Sequence, residues 1–353
     1  MGKYNLDGHK LSYHYKEVDN FLSGKPIYPI YVEISPVGNC NHHCLFCHYN
    51  YLGHQGKFPE GRMISLVEEL SQNEVKSVVF AGTGEPTLHK DTFKAIRRAK
   101  ALGLDVAMST NGAILKEEDL YDIAKNLTWI RFSFNAGSAE DYAVVHKTKE
   151  KDYYKVLDNI KRLVEIKEEI GSSITIGAQF VLIPQNKNNV VNHAKRLKDI
   201  GIDYFSVKHF YDHDENEFKV EKNFLSEDEY KNLEVESEKI SDENFLFTVR
   251  DVDNLDTNRT YTKCFGLEFI AYIREDGELY TCFSYQHEKK TSLGNIFENS
   301  FSEVWESKQK RDAIDFINDD IDKNSCQPNC RHHQINKHLW ELKHPSIEHV
   351  NFI

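Results

Sequence analysis

Three cysteines, Cys40, Cys44 and Cys47, stand in the spacing Cys-x3-Cys-x2-Cys. They follow an apolar run beginning at Ile30 that predicts a strand, so we expect them on a loop at a strand end. Three thiolates on one short loop can bind three irons of a [4Fe–4S] cluster and leave the fourth iron open to a small molecule. A zinc site is the alternative, because a histidine could supply its fourth ligand. The neighbouring histidines are His42, His43 and His48. We favour the open iron–sulfur cluster.

The stretch from Cys40 to Cys47, with Phe46 before the last thiol, resembles the cluster motif of the radical S-adenosylmethionine (SAM) superfamily. The resemblance implies that the open iron binds the amino and carboxylate groups of SAM. It also implies that an electron from the cluster cleaves SAM to methionine and a 5′-deoxyadenosyl radical, which takes a hydrogen atom from the substrate. The expected electron donor is a flavodoxin- or ferredoxin-type protein. The polypeptide would supply ligation, orientation and exclusion of water.

The composition is that of a folded, acidic protein. The chain has 353 residues, 40% of them hydrophobic, which is enough for one large domain and a smaller one. Lys plus Arg number 44 and Asp plus Glu number 56, so the net charge of −12 argues against nucleic acid as a partner. No apolar run approaches the length of a membrane span. Seven cysteines in ligand-like groups, with no apolar signal-peptide core near the start, predict a cytoplasmic protein.

From residue 30 onward, short apolar runs alternate with amphipathic stretches, which predicts an α/β fold with a parallel sheet and right-handed crossovers. The predicted strands are Tyr31–Ser35, Ser77–Ala81, Asp105–Ser109, Trp129–Phe134, Ile174–Ile183 and Tyr204–Lys208. The predicted helices are Glu60–Asn73, Asp91–Leu102, Lys116–Asn126, Tyr153–Ile170 and Asn188–Ile200. Six such units match the partial (β/α)6 TIM-type barrel of the superfamily, with the chemistry at the carboxyl ends of the strands.

Glycine-rich and polar turns follow the second, third and fourth predicted strands. The first turn, Gly82-Thr83-Gly84-Glu85, resembles the Gly-Gly-Glu-Pro motif of the superfamily, whose backbone holds the amino group of SAM, although Thr83 departs from that motif. By the same resemblance, contacts to the ribose and carboxylate of SAM are expected from Ser109, Asn111 and Ser133. Ordinary turn chemistry explains these polar residues almost as well. Further candidates are His146 and Lys147 as a carboxylate clamp, Val181 beside the adenine, and the titratable run Lys208–Asp214 as a substrate region.

The remaining cysteines, Cys264, Cys282, Cys326 and Cys330, form a second set. The segment between the first two predicts a β-hairpin that turns at Asp276-Gly277 and brings its ends together. The last two cysteines can add two more thiolates. Four sulfurs could hold a second [4Fe–4S] cluster or a zinc ion, and the residues alone leave these two readings about even.

The spacing Cys264-x12-Gly277-x4-Cys282 resembles the SPASM and twitch auxiliary-cluster domains of radical SAM proteins. A SPASM module needs seven cysteines, so the four present imply the shorter, one-cluster twitch type. The final Cys-x3-Cys departs from the family pattern and leaves His332 or His333 as a candidate ligand. The predicted domains are a cover segment (1–29), a partial barrel (30–215), a linker with a helix (216–255), a twitch-like β-hairpin/helix domain (256–335) and a tail with a helix and a packing strand (336–353).

The two thiol sets together use all seven cysteines, so none remains to return a hydrogen atom to a substrate radical. This favours oxidation over epimerisation, unless one of the 18 tyrosines is the donor. The short stretch before Cys40 favours a small substrate over a peptide. A loose resemblance to radical SAM proteins of surface-polysaccharide biosynthesis suggests oxidation or epimerisation of a sugar or nucleotide-sugar. The alternatives are a maturase of a ribosomal precursor peptide and a non-enzymatic zinc- or cluster-binding interaction protein.

Overall fold

The computed structural model describes residues 4, 9–53, 56–211, 215–221, 224–250, 259–327 and 330–352. Within these residues lies one sheet of ten strands in the order β10-β9-β8-β1-β2-β3-β4-β5-β6-β7. The strands are β1 (Tyr31–Ile34), β2 (Ser77–Phe80), β3 (Asp105–Thr110), β4 (Trp129–Ser133), β5 (Thr175–Leu182), β6 (Tyr204–His209), β7 (Leu246–Val249), β8 (Ile270–Ile273), β9 (Glu278–Tyr280) and β10 (Ser292–Asn295). The predicted α/β fold, a partial barrel with a small C-terminal region of strands and helices, is confirmed.

The α-helices of the described residues cover the outer face of this sheet and build the C-terminal region. They are α1 (Tyr15–Leu22), α2 (Arg62–Gln72), α3 (Thr92–Ala101), α4 (Glu117–Asn126), α5 (Ala139–Val145), α6 (Glu150–Glu169), α7 (Val190–Ile200), α8 (Glu227–Ile240), α9 (Phe301–Trp305), α10 (Lys308–Asp319) and α11 (His332–Lys343). No helix among the described residues is both long enough and apolar enough to cross a membrane.

Strands β1 to β7 are parallel, and their side chains alternate between two very different faces. On the outer face, residues such as Val32, Phe132 and Phe180 are fully buried in one apolar cluster with the helices. The inner face carries polar residues instead, including Glu33 on β1 and Arg131 on β4. The apolar core therefore lies between sheet and helices, and the interior of the barrel is left for chemistry.

Two elements of the barrel were not predicted. Strand β7 extends the sheet beyond β6 by parallel pairing, although its residues fall in the segment predicted as a linker. Helix α5 begins after Ser138, whose hydroxyl accepts a hydrogen bond from the backbone N–H of Asp141 at 3.1 Å. Helix α5 has only seven residues and β7 buries only one of its four, so their own apolar patterns are weak.

The C-terminal region continues the same sheet. Strand β8 pairs with β1 in parallel, so that Tyr272 lies beside Glu33, and β9 and β10 follow in antiparallel order. The hairpin between β8 and β9 turns at Asp276 and Gly277 as predicted, and Gly277 has a positive φ of 86° that suits glycine. The described part of the tail after α11, residues 344–352, contains no strand, contrary to prediction. Its side chains are exposed, so they are not packed against the other described elements as those of a packing strand would be.

The N-terminal segment packs on the C-terminal region. Val18 on α1 and the nearby Leu11 and Ile27 share an apolar cluster with Phe269 before β8 and Leu339 on α11. This contact brings the two ends of the chain together beside β8, at the edge of the barrel.

A buried histidine makes the stability of the fold depend on pH. His193 on α7 is fully buried against the rings of Phe134, Phe180 and Phe205, and burial lowers its pKa from 6.5 to about 3. Its contribution to stability is complete above pH 6.5 and falls as the pH drops toward 3, because only the unfolded chain is then protonated there. When the pH falls from 7 to 5, we expect the wild-type protein to lose about 2 kcal/mol more unfolding free energy than His193→Leu loses. Urea unfolding at both pH values measures this loss. The exposed His349→Leu is the control, and equal losses in wild type and His193→Leu would contradict the assignment.

Candidate active site

The loop that carries Cys40, Cys44 and Cys47 leaves the carboxyl end of β1 and rests on the end of α5. The backbone N–H of His43 donates to the carbonyl of His146 at 3.1 Å, and the N–H of Leu45 donates to the carbonyl of Val145 at 2.9 Å. Leu45 and Phe46 pack on an apolar cluster that contains Val145, Val181 and Ile183. The structure therefore places Val181, which was predicted beside the adenine, underneath the cysteine loop.

The side chain of His146 contacts the cysteine loop at Cys44. It is fully buried, its Nδ1 lies 3.1 Å from the Sγ of Cys44, and its Nε2 accepts a hydrogen bond from the backbone N–H of Asn135 at 3.2 Å. Burial holds the pKa of His146 well below its usual range, so the ring is neutral. A neutral ring that accepts at Nε2 carries its proton on Nδ1 and donates to Cys44. His146 was predicted as part of a carboxylate clamp with Lys147. It supports a thiol instead, while Lys147 is exposed.

The glycine-rich turn after β2 lies directly against the cysteine loop. A Cβ added to Gly84 would lie 2.3 Å from the carbonyl oxygens of Val37 and Asn39, and one added to Gly82 would lie 2.4 Å from the Cβ of Ser35. The backbone N–H of Glu85 donates to the carbonyl of Asn39 at 3.0 Å. Glycine is required at both positions because the two backbones approach too closely for any side chain.

Glu85 joins the ends of β2 and β3. Its buried carboxylate accepts hydrogen bonds from the hydroxyls of Thr87 and Thr110 at 2.7 and 2.6 Å, and from the backbone N–H of Asn111 at 2.8 Å and of Thr87 at 3.2 Å. Burial raises the pKa of Glu85, and these four donors act against that rise. The sequence predicted Glu85 as an acceptor, and the structure shows that protein groups occupy both of its oxygens.

Thr83 connects the barrel to the C-terminal hairpin. Its hydroxyl donates to the Oε2 of Glu275 at 2.5 Å and lies 2.8 Å from the hydroxyl of Ser35. Glu275 is fully buried between β8 and β9 and pairs with Arg274 at 3.5 Å. Thr83, which replaces a glycine of the superfamily motif, thus donates a hydrogen bond to Glu275 that glycine could not donate, because glycine has no hydroxyl.

The other predicted SAM contacts lie at the ends of β3 and β4. The side-chain amide of Asn111 donates to the side-chain oxygen of Asn41 at 2.7 Å and lies 3.8 Å from the Sγ of Cys40. Ser109 and Ser133 are half-buried on the inner face. Asn111 therefore steadies the cysteine loop, while the two serines face the interior of the barrel.

The predicted substrate region at the end of β6 is described in part. Lys208 lies on the inner face, since it pairs in register with Val181, and Tyr211 follows the strand. Burial raises the pKa of Tyr211, and the nearby guanidinium of Arg250 acts against that rise. Asp212, His213 and Asp214 lie outside the described residues.

The three loop thiols suit a cluster with one open iron. They are free thiols that influence one another's titration, and burial raises the pKa of Cys40 to about 12 and that of Cys44 well above its usual range. In a [4Fe–4S] cluster with an open iron, three thiolates bind one iron each, and three thiols are the donor set that this loop offers.

The second thiol set is brought together from three parts of the C-terminal region. Cys264 lies before β8, Cys282 after β9, and Cys326 and Cys330 before α11, and each of the last three acts on the titration of Cys264. The side-chain amide of Asn336 lies 3.1 Å from the Sγ of Cys264, as a hydrogen-bond donor to a thiolate would. His332 Nδ1 lies 3.8 Å from the same sulfur.

An ion pair joins this second set to the barrel. Arg331, next to Cys330, lies 2.7 Å from the carboxylate of Glu33 on β1. Glu33 also accepts a hydrogen bond from the hydroxyl of Tyr31 at 2.8 Å. Burial alone would raise the pKa of Glu33, but Arg331 and Tyr31 hold it below its usual range. No sequence pattern indicates this pair, because its members lie far apart in the chain.

Comparison with known proteins agrees with this arrangement. The family model of the radical SAM superfamily matches residues 34–197, and that of the SPASM iron–sulfur cluster-binding domain matches residues 264–332. The chain belongs to the radical SAM superfamily. The SPASM match favours a cluster over zinc at the second thiol set. A radical SAM protein with such a domain carries [4Fe–4S] clusters and SAM.

One sequence relative spans both regions of this radical SAM protein. It is the tungsten-containing aldehyde ferredoxin oxidoreductase cofactor-modifying protein of Pyrococcus furiosus, 25% identical over 350 residues, which cover 85% of this chain and 93% of the relative. Among solved structures, SuiB of Streptococcus suis bound to SAM superposes with a TM-score of 0.64 at 18% identity, over 84% of this chain and 70% of SuiB. The structure of anSMEcpe with bound SAM and the Kp18Cys peptide gives 0.58 at 20% identity, over 89% and 96%. These two structures share its fold.

Proposed function

We propose that this radical SAM protein is a maturase that oxidises a C–H bond of a polypeptide. The observation that carries the proposal is the ion pair between Arg331 and Glu33, which places the second thiol set beside the interior of the barrel. A substrate in that interior would lie between the two thiol sets. When bound, the clusters and SAM supply a 5′-deoxyadenosyl radical that removes a hydrogen atom, and a second site that can accept an electron.

The relatives support a maturase better than the sugar hypothesis. The relative from Pyrococcus furiosus is named as a cofactor-modifying protein and covers most of this chain. SuiB has been solved with its precursor peptide SuiA, and anSMEcpe with the Kp18Cys peptide. The alternative named in the sequence analysis, maturation of a peptide, therefore becomes the main proposal, and the sugar substrate is not carried forward.

The seven cysteines of the chain are assigned to two clusters in this proposal. Cys40, Cys44 and Cys47 would bind one cluster, held in position by His146 below and by the turn at Gly84 above. The four C-terminal cysteines would bind the other cluster. No cysteine lies outside these two sets, so no thiol remains to return a hydrogen atom. This keeps net oxidation as the proposed outcome.

Deuterium transfer tests the proposed substrate class. The source cells are grown in heavy water, and their extract is separated by ultrafiltration into polypeptides and small metabolites. Each fraction is incubated anaerobically with the reconstituted enzyme, unlabelled SAM and dithionite, and 5′-deoxyadenosine is analysed by mass spectrometry. We expect deuterium in 5′-deoxyadenosine from the polypeptide fraction, because the abstracted hydrogen atom ends on that product.

The control is the Cys40/Cys44/Cys47→Ala variant, which should form no 5′-deoxyadenosine from either fraction. Predigestion of the polypeptide fraction with a nonspecific protease should abolish the transfer. Deuterium that came only from the small metabolites would refute the maturase and return the sugar hypothesis to first place.

A further inference from the structure

Among the described residues, the inner face of β4, β5 and β6 carries two cations and no carboxylate. Arg131 lies on the inner face of β4, in register with Gly177 on β5. Lys208 lies on the inner face of β6, in register with Val181, which is four positions further along β5. The two side chains act on each other electrostatically. Gly177 and Gln179 bring no charge between them. This contrasts with the net charge of −12 of the whole chain.

Neither Arg131 nor Lys208 has an acidic partner among the described residues. No carboxylate in the part of the chain that the structure describes lies within 4.0 Å of either side-chain nitrogen group. Arg131 has one long hydrogen bond, from its Nη2 to the hydroxyl of Ser109 at 3.5 Å, and its buried Nε has no partner. A buried guanidinium N–H without an acceptor costs free energy unless a ligand completes its hydrogen bonds.

Glu33, the described carboxylate that raises the pKa of Lys208, already has hydrogen-bond partners. Glu33 faces the same interior, but it accepts hydrogen bonds from Arg331 at 2.7 Å and from Tyr31 at 2.8 Å. Burial lowers the pKa of Lys208 well below its usual range; Arg131, Arg250 and Arg331 lower it further, and Glu33 acts against them. Among the described residues, the electrostatic effect of the arginines on Lys208 is thus opposed by the single carboxylate of Glu33.

We propose that Arg131 and Lys208 bind an oxyanion of the substrate, a carboxylate or a phosphate, inside the barrel. The proposal names the substrate class of the site and rests on the proposed function in placing the substrate there. A guanidinium and an ammonium are the two side chains that bind such groups most strongly, by charge-assisted hydrogen bonds. The oxyanion would accept a hydrogen bond from the Nε–H of Arg131, and its negative charge would favour the protonated ammonium form of Lys208. An acidic side chain or chain terminus of a polypeptide would supply a carboxylate, and a bound cofactor would supply a phosphate.

The test measures binding of two small probes to the reconstituted enzyme loaded with SAM. Equilibrium dialysis with radiolabelled inorganic phosphate and radiolabelled glutarate is performed anaerobically on wild type, Arg131→Gln and Lys208→Met. We expect one saturable site per chain in wild type. We expect affinity to fall by at least about tenfold in each variant, since one charge-assisted hydrogen bond is worth about that much. The exposed cations Arg311→Gln and Lys100→Met are the matched controls and should bind as wild type does.

Each result has a defined meaning. Preference for glutarate assigns the site to a carboxylate, and preference for phosphate assigns it to a phosphate; both support the proposal. Uptake that does not saturate, or that is equal in all five proteins, overturns it. SAM affinity is measured in parallel, and a tenfold loss of SAM binding in Arg131→Gln with unchanged probe binding would assign Arg131 to SAM and also overturn it. Iron content verifies folding, and Arg131→Lys should recover part of the affinity.

The outcome is separable from that of the deuterium experiment. Saturable probe binding that depends on Arg131 and Lys208, together with deuterium from the small metabolites only, would leave the oxyanion site standing and remove the polypeptide. Deuterium from the polypeptide fraction without probe binding would support the polypeptide substrate and overturn the oxyanion site.

Discussion

Replacing Cys40, Cys44 and Cys47 together with alanine is expected to lower the iron content of the anaerobically reconstituted protein from about eight to about four per chain. Formation of 5′-deoxyadenosine from SAM should stop, because the open iron that binds SAM belongs to the cluster on this loop. Iron, acid-labile sulfide and zinc are measured on the same samples. The remaining irons would then be those of the C-terminal set, whose four thiols the structure brings together.

The matched variant is Cys264/Cys282→Ala. It should also retain about four irons, but it should still cleave SAM, because the loop cluster is intact. A wild-type protein with about four irons and one zinc, which falls to zinc alone in the triple variant, would show that the second set holds zinc. That result would contradict the cluster assignment at the second set and remove the electron acceptor on which the proposed oxidation depends.

The sequence predicted the parts of the fold that depend on local periodicity. Each β/α unit carries its own apolar pattern, so the six barrel strands and their helices could be located from the residues alone. Strand β7 buries one of its four residues, whereas β1 and β2, which are equally long, bury three each. Helix α5 has only seven residues. Short elements of this kind depend on tertiary contacts, which the sequence does not display.

In the candidate site, too, the local features could be predicted from the sequence and the long-range contacts could not. The cysteine spacings are local, and they predicted both thiol sets. The supports of these sets are contacts between distant residues: His146 reaches Cys44 from 102 positions away, Thr83 reaches Glu275 from 192, and Arg331 reaches Glu33 from 298. A histidine, a threonine or an arginine in isolation carries no signal of such a partner. The same holds for Arg131 and Lys208, which act on each other electrostatically only once β4, β5 and β6 have assembled.

The Thr83–Glu275 hydrogen bond and the Arg331–Glu33 ion pair connect the barrel and the C-terminal region. Both contacts are at least partly buried, and β8 adds backbone pairing to β1 over four residues. A contact of this extent holds the second thiol set at a fixed distance from the loop cysteines. Fixed placement is what a reaction that uses both sites on one substrate needs.

Gly84→Ala is expected to lower SAM cleavage by at least about a hundredfold, because a displacement of about 1 Å in a reacting geometry can cost that much. The added methyl group would lie 2.3 Å from two carbonyl oxygens of the cysteine loop, on Val37 and Asn39, and neither backbone can yield without moving the other. The rate of 5′-deoxyadenosine formation, divided by the iron content, separates misplacement of the site from loss of the cluster. The control is Gly103→Ala at the end of α3, where the added Cβ would meet nothing within 4 Å. That change should cost about 1–2 kcal/mol of stability through its positive φ of 85° and leave the rate per iron unchanged. A Gly84→Ala rate per iron within threefold of wild type would show that the turn and the cysteine loop can separate without harm, and that their close contact does not position SAM.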